Sequence, residues 1–165
     1  MLKTIITGPE SSGKTTLCKA LSKHFNLPFS KEYAREYLDK LNSHYTQNDF
    51  LKIAKGQLKA ENGMQLLDTD LITLKIWSQY KYGSCDNWIL TQIEKQKSEK
   101  RFYLLCKPDI PWQADNQRKN PNDREELFEI YKKETESLGR NYFIVEGENR
   151  IENSISKISP LISLI

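Results

Sequence analysis

The sequence predicts an α/β fold in which a parallel sheet is covered by helices on both faces. Three observations carry that reading. Short apolar runs alternate with longer amphipathic segments through all 165 residues, as strand–helix alternation requires. The first apolar run ends in a glycine-bounded turn that leads straight into an amphipathic segment. No internal repeat, low-complexity block or Gly/Ser linker interrupts the series, so residues 1–165 are expected to form a single domain.

Leu2 to Thr7 reads as a buried strand stopped by Gly8-Pro9. Lys14 to Phe25 places Leu17, Ala20, Leu21 and Phe25 on one helical face. Leu27 to Ser30 reads as a short strand. Glu32 to Leu41 reads as a helix, because Tyr33, Tyr37 and Leu41 step by four. Thr46 is the predicted cap of a helix reaching about Glu61, with Phe50, Ile53, Ala54, Gln57 and Leu58 along one side. Met64 to Asp70 is an apolar strand ending in acid, followed by a helix through Trp77 and an irregular stretch from Gly83 to Asp86. Arg101 to Cys106 and Tyr142 to Val145 are the remaining strands. Between them lie a polar loop, Asp109 to Asn122, and a helix from about Asp123 to Leu138 closed by Gly139. The tail steps Ile151, Ile155, Ile158 like a helix, and Pro160 is expected to interrupt it or to open a last short turn capped by Ser159.

Composition removes several classes. Lys and Arg number 25 against 22 Asp and Glu, and a net charge of +3 is too mild for a chain that coats nucleic acid. No apolar run approaches the ~18–20 residues needed to cross a bilayer, and the first apolar run meets a glycine too early for a signal peptide. Cys18, Cys85 and Cys106 are odd in number and lack a CxxC pair, which disfavours a disulfide framework or a zinc site. A soluble protein of a reducing, cytoplasmic setting is expected, with neither nucleic acid nor membrane as partner. Oligomeric state is not legible.

Parallel sheets bind ligands beyond the C-terminal ends of their strands. Those ends are Gly8, Ser30, Asp68, Lys107 and Glu146, and the chemically distinctive residues cluster there. Gly8-Pro9-Glu10-Ser11-Ser12-Gly13-Lys14-Thr15 matches G-x-x-x-x-G-K-[ST], between a strand and a helix as that motif requires. The glycines let successive backbone N–H groups turn inward, and the following helix adds its positive end. Lys14 can reach the β- and γ-phosphates of a nucleoside triphosphate, and the Thr15 hydroxyl can ligate Mg²⁺. Asp68, after Met64-Gln65-Leu66-Leu67, occupies the place of a carboxylate that helps hold that ion. Asp70 suits either the substrate or the cap of the next helix.

Trp112, Asp115, Arg118, Lys119 and Arg124 lie in or beside a Pro-bounded polar stretch. Arg118 and Arg124 can serve a lid that closes over a transferred phosphoryl, or can be ordinary surface arginines. In Lys31-Glu32-Tyr33-Ala34-Arg35, directly after the second strand, Glu32 can accept a substrate proton and Arg35 lies on the same helix face. A solvated helix with charge pairs is the alternative. His24 and His44 are isolated and read as surface residues. Trp77 and Trp88 read as helix-packing residues, and Trp112 as the tryptophan to meet a ligand.

The run GPESSGKTTL, then EYAREY, LLDTD and PDIPWQADNQR with Asp123-Arg124 beyond, resembles the ribosylnicotinamide kinase domain of bacterial bifunctional nicotinamide-nucleotide adenylyltransferase/ribosylnicotinamide kinases. The resemblance spans roughly Lys3 to Ile158. It implies a P-loop NTPase of nucleoside-monophosphate-kinase type, with a five-stranded parallel sheet and a lid over roughly 109–124. The implied reaction transfers phosphate from ATP, with Mg²⁺, to the ribosyl 5′-hydroxyl of nicotinamide riboside, a step in NAD biosynthesis. Since the resemblance is to the kinase part, the kinase step alone is expected. By position, Gly8, Glu10, Ser11, Ser12, Gly13, Lys14, Thr15 and Thr16 form the triphosphate cradle, with Gly147 and Arg150 towards the adenine. Thr15 and Asp68 organise the metal. Glu32, Arg35, Asp70, Trp112 and Asp115 meet the acceptor, and Lys14, Glu32, Asp68, Arg118 and Arg124 carry catalysis. Lys31 stands where the family carries a ring-stacking aromatic, which keeps open another nucleoside, a vitamin alcohol, or a regulatory ATPase or GTPase switch.

Overall fold

A computed structural model describes residues 1–42, 44–114, 117–118 and 121–162. In chain order the elements are β1 (Lys3–Thr7), α1 (Lys14–Phe25), β2 (Phe29–Ser30), α2 (Tyr33–Lys40), α3 (Gln47–Ala60), β3 (Leu66–Asp68) and α4 (Leu71–Tyr82). Then follow α5 (Asn87–Lys95), a 3-10 turn (Gln96–Ser98), β4 (Arg101–Cys106), α6 (Arg124–Ser137), β5 (Asn141–Val145) and α7 (Arg150–Ile162). The strands form one sheet in the order β2-β3-β1-β4-β5, and every pairing is parallel. β1 therefore has β3 on one side and β4 on the other, so the chain reverses direction across the sheet at the tip of β1. Open α/β sheets bind ligands at such a switch point.

Alternation along the strands divides the core in two. Ile5, Leu67, Tyr103 and Leu105 face helices α3 to α6, with Phe50, Ile53, Ile72, Ile76, Ile89 and Phe128 buried against them. Ile6, Leu66, Leu104 and Val145 face the other way, onto Leu17, Cys18 and Leu21 of α1 and Ile158 of α7. Each fully buried Leu or Ile here stabilises the fold by about 1.5–3 kcal/mol relative to exposure. The three cysteines are free thiols.

Local chemistry accounts for most boundaries. Thr46 opens α3, and its N–H donates to Asp49 Oδ2 at 2.8 Å, one half of a capping box. Gly56 faces α2 so closely that a Cβ there would lie 2.0 Å from the Tyr33 ring, which seats α2 against α3.

Three expectations change. α5 and its 3-10 turn have no counterpart in the sequence reading, although Asp86 caps α5 by accepting from Trp88 N–H at 2.8 Å and Ile89 and Ile93 are one turn apart. β3 is shorter than expected, because Thr69 turns to φ 68° and its N–H donates to Ile6 O at 2.9 Å. Pro160 does not interrupt the tail, since α7 runs through it to Ile162. Proline forfeits one backbone N–H, and this one sits in the last turn, where packing of Ile158 and Ile162 on the core already holds the helix. Ser159 lies inside α7, and its hydroxyl donates back to Ile155 O at 2.7 Å.

Candidate active site

The loop after β1 is bent by two glycines and one serine in the left-handed region: Gly8 at φ 140°, Ser11 at 55° and Gly13 at 83°. A Cβ on Gly8 would lie 2.5 Å from Cys106 O, so only glycine lets the loop cross the tip of β4. Gly13 then opens α1 with its N-terminus facing a cleft of about 540 Å³. Ser11, Ser12, Gly13, Lys14, Thr15 and Thr16 line that cleft. Lys14 Nζ folds over the loop to donate to Pro9 O at 2.7 Å, and Ser12 Oγ donates to the same carbonyl at 2.8 Å.

Asp68, at the end of β3, faces this cradle. Thr15 Oγ1 donates to Asp68 Oδ2 at 2.7 Å, while the buried Oδ1 has no hydrogen-bond partner among the described residues. Burial pushes the Asp68 carboxyl up to about 6, with the nearby Glu32 carboxylate adding to the rise and the Thr15 hydrogen bond and Lys14 opposing it. A buried carboxylate oxygen without a partner, beside a threonine hydroxyl, is the donor set a hard cation such as Mg²⁺ takes. The residues present therefore fit that ion. Among the described residues no group of three or more His, Cys, Asp or Glu would hold a metal by itself, so water and phosphate oxygens would complete the shell.

A second cleft, of about 660 Å³, adjoins the first. Lys14, Glu32, Arg35 and Arg118 line both. Arg35 Nε donates to Glu32 Oε2 at 3.2 Å, which holds the pair at the junction. Beyond it the wall becomes apolar and aromatic, with Tyr45, Phe50, Leu74, Trp77 and Tyr131. These residues were missed as ligand-facing, and no spacing signal would have found them. They lie on or against the core-facing stripes of α3, α4 and α6, where packing residues and cleft residues share one periodicity. Trp77 both packs on the core and lines the cleft.

Described residues of the segment after β4 bond to this arrangement. Gln113 N–H donates to Ser11 Oγ at 2.9 Å, and Gln117 Nε2 donates to Arg35 O at 3.2 Å, joining the segment to the phosphate loop and to α2. Arg118 Nη1 donates to Gln113 O. Arg124 bonds to backbone carbonyls: its Nη1 donates to Ser11 O at 3.1 Å and Ile110 O at 3.0 Å, pinning the base of the segment to the loop.

Several expected residues take other places. Glu10 is buried and lines the aromatic cleft rather than the phosphate cleft. Asp70 is fully buried and lines neither. It caps α4 by accepting from Ile72 N–H at 3.1 Å, and its Oδ2 accepts from Arg101 Nη1 at 3.1 Å and Tyr103 Oη at 2.7 Å. The left-handed turn at Thr69 sends Asp68 to the cleft and Asp70 into the core, so the substrate role expected of Asp70 gives way to its capping alternative. Trp112 stacks on the Arg124 guanidinium, 5.6 Å from the ring centre, and lines neither cleft. Arg150 donates to Ser12 O at 2.8 Å, Lys107 O at 2.6 Å and Asp109 Oδ1 at 3.0 Å, which braces the loop against the ends of β4 and β5. Asp115 and Lys119 lie outside the described residues. Lys31 is exposed and lines neither cleft, so its charge is spent on solvent.

Comparison with known proteins agrees with this geometry. The AAA domain family matches residues 3–152. The trifunctional NAD biosynthesis/regulator protein NadR of Escherichia coli (strain K12) is 28% identical over 159 residues, covering 87% of this chain and 38% of that protein. Its Salmonella typhimurium counterpart is 27% identical over 124 residues, covering 68% of this chain and 30% of that protein. The chain thus spans less than half the length of these relatives. Among solved structures, NadR protein in complex with NR superposes with a TM-score of 0.73 at 23% identity, over 96% of this chain and 51% of that one. Deoxyadenosine kinase from M. mycoides with bound dCTP superposes at 0.60 with 15% identity, over the full length of both. These likenesses establish a P-loop fold with its parallel sheet. No helix among the described residues is long and apolar enough to cross a membrane.

Proposed function

The chain belongs to the AAA domain family, and we propose that it is an ATP-dependent kinase phosphorylating the ribosyl 5′-hydroxyl of a nucleoside, with nicotinamide riboside the first acceptor to try. Residues 1–165 are read as its kinase domain, with the lid over roughly 109–124. The observation that carries this is the pair of joined clefts, with Lys14, Glu32, Arg35 and Arg118 common to both. A hydrolytic switch needs only the phosphate cradle; an aromatic-walled chamber opening onto it is what a kinase needs for its acceptor. The NadR relatives and the deoxyadenosine kinase support the same choice.

Phosphoryl transfer asks for position and charge more than for covalent chemistry. The backbone amides from Ser11 to Thr16 receive the polyphosphate, and the Lys14 ammonium moves from Pro9 O to the phosphate oxygens. Thr15 and Asp68 would hold Mg²⁺, which when bound neutralises charge on the β- and γ-phosphates. Asp68 is thereby committed, so Glu32 takes the acceptor proton while Arg35 orients it. Arg118 meets the transferred group from the lid, and the ties from Gln113, Gln117 and Arg124 keep water out. Arg124 acts as the clasp of the lid. Arg150 sets the loop from the side where an adenine would lie. Lys31, exposed and outside both clefts, places no cation beside a pyridinium ring held in the acceptor cleft.

The test is a panel of nicotinamide riboside, purine and pyrimidine nucleosides and thiamine with ATP and Mg²⁺, read as phosphorylated product. Turnover of a nucleoside is expected, and its loss in Lys14→Ala with an unchanged far-UV spectrum. ADP release without any phosphorylated acceptor would instead make the chain an NTPase switch.

A further inference from the structure

The aromatic end of the acceptor cleft closes on a hydroxyl that the phosphoryl-transfer steps do not use. Trp77 on α4 donates its indole N–H to Tyr131 Oη on α6 at 3.3 Å. Indole nitrogen only donates, so the Tyr131 oxygen is the acceptor in that bond and its own proton points elsewhere. Thr73 lines the same cleft and is the other hydroxyl beside Tyr131. It is joined in turn to Thr7 Oγ1 at 3.2 Å, a contact in which either oxygen can donate. The series can run from Thr7 through Thr73 to Tyr131, and in that direction the phenolic proton is left for a group in the cleft. Burial holds that phenol well above its ordinary range, so the proton stays on as a donor.

The surroundings make this group selective. Four of the charged residues of the cleft, Lys14, Glu32, Arg35 and Arg118, also line the phosphate cleft and mark the end where the sugar hydroxyl must lie. Around Tyr131 the wall carries Phe50, Ile53, Leu74 and Trp77, with the Glu10 and Glu32 carboxylates within electrostatic reach of its hydroxyl. Tyr131 is only 1% exposed before any ring enters, so its hydroxyl has little solvent to turn to and depends on the acceptor for a partner. A donor buried without an acceptor is costly, whereas the same donor meeting a carbonyl is satisfied.

We propose that Tyr131 sets acceptor specificity, its hydroxyl donating to a carbonyl oxygen carried by the acceptor's aromatic ring, either a carboxamide or a ring lactam. The proposal rests on the kinase reading above, and deepens it by naming what the ring must carry. The experiment compares nicotinamide riboside with pyridinium riboside, which has the same charge and ring but no carboxamide, on the wild type and on Tyr131→Phe. The wild type is expected to favour nicotinamide riboside in kcat/KM by about 10- to 100-fold, and Tyr131→Phe to narrow that ratio to about threefold or less. A ratio that survives in Tyr131→Phe overturns the inference and leaves the kinase reading standing. If the variant does not fold, the wild type still decides, because absence of a preference overturns the inference too. If neither riboside is turned over, the same comparison is made with uridine against its analogue lacking the ring carbonyls, and absence of a preference there overturns the inference.

Discussion

Replacing Asp68 by asparagine tests the assignment of a destabilised carboxylate kept for a ligand. Asp68 is 2% exposed, and burial raises its carboxyl from 3.8 to about 6. A folded-state pKa above the unfolded one means that the native state binds the proton more tightly. The cost is therefore absent at low pH, grows as pH rises through the interval between the two values, and is complete above about 6. A rise of that size costs about 3 kcal/mol at pH 7.5, against about 1 kcal/mol at pH 4.5. Asparagine does not titrate, so whatever fixed penalty its amide introduces is the same at both. Urea unfolding of the wild type and Asp68→Asn, without nucleotide, reads the difference. The variant should gain about 2 kcal/mol relative to the wild type between pH 4.5 and 7.5, and at the same time lose the stabilisation that MgATP confers. A difference in stability that stays constant across that range would refute the reasoning, because the buried charge would then carry no cost.

Two other perturbations separate chemistry from scaffold. Glu32→Gln should lower kcat/KM for the best acceptor by about 100-fold or more, as removal of a general base does, with the KM for ATP little changed; steady-state kinetics with both substrates varied would show a fault if ATP binding suffered as much. Arg101→Met should destabilise the apoprotein by about 3–5 kcal/mol, because it strands Asp70 and Glu61, both buried, without the guanidinium that bonds each of them. A chemical-denaturation loss under about 1 kcal/mol would show that these carboxyls find other partners or stay neutral.

The phosphate loop was legible because its requirement is local: two glycines, a lysine and a threonine at fixed spacing between a strand and a helix specify backbone geometry within eight residues. Thr46, and the boundaries of α1 and β4, were legible for the same reason, since caps and apolar periodicity act over one or two turns. Asp68 and Asp70 show where such reading ends. Both follow one apolar run two residues apart, yet Thr69 turns left-handed between them and sends one carboxylate to the ligand and the other to Arg101. Nothing in Asp-Thr-Asp announces that turn, because it depends on where β1 supplies the carbonyl of Ile6.

The amino-acid order alone thus determined a polyphosphate-binding parallel-sheet protein and the end of the sheet at which it works. Only the tertiary structure decided what lines the adjoining chamber. Phe50, Trp77 and Tyr131 come from three helices and Tyr45 from the loop before α3; Phe50 and Trp77 read in sequence as packing residues, and nothing in the sequence singled out Tyr45 or Tyr131. A hydrophobic stripe records that a side chain leaves water, not whether the surface it meets is its own core or a guest.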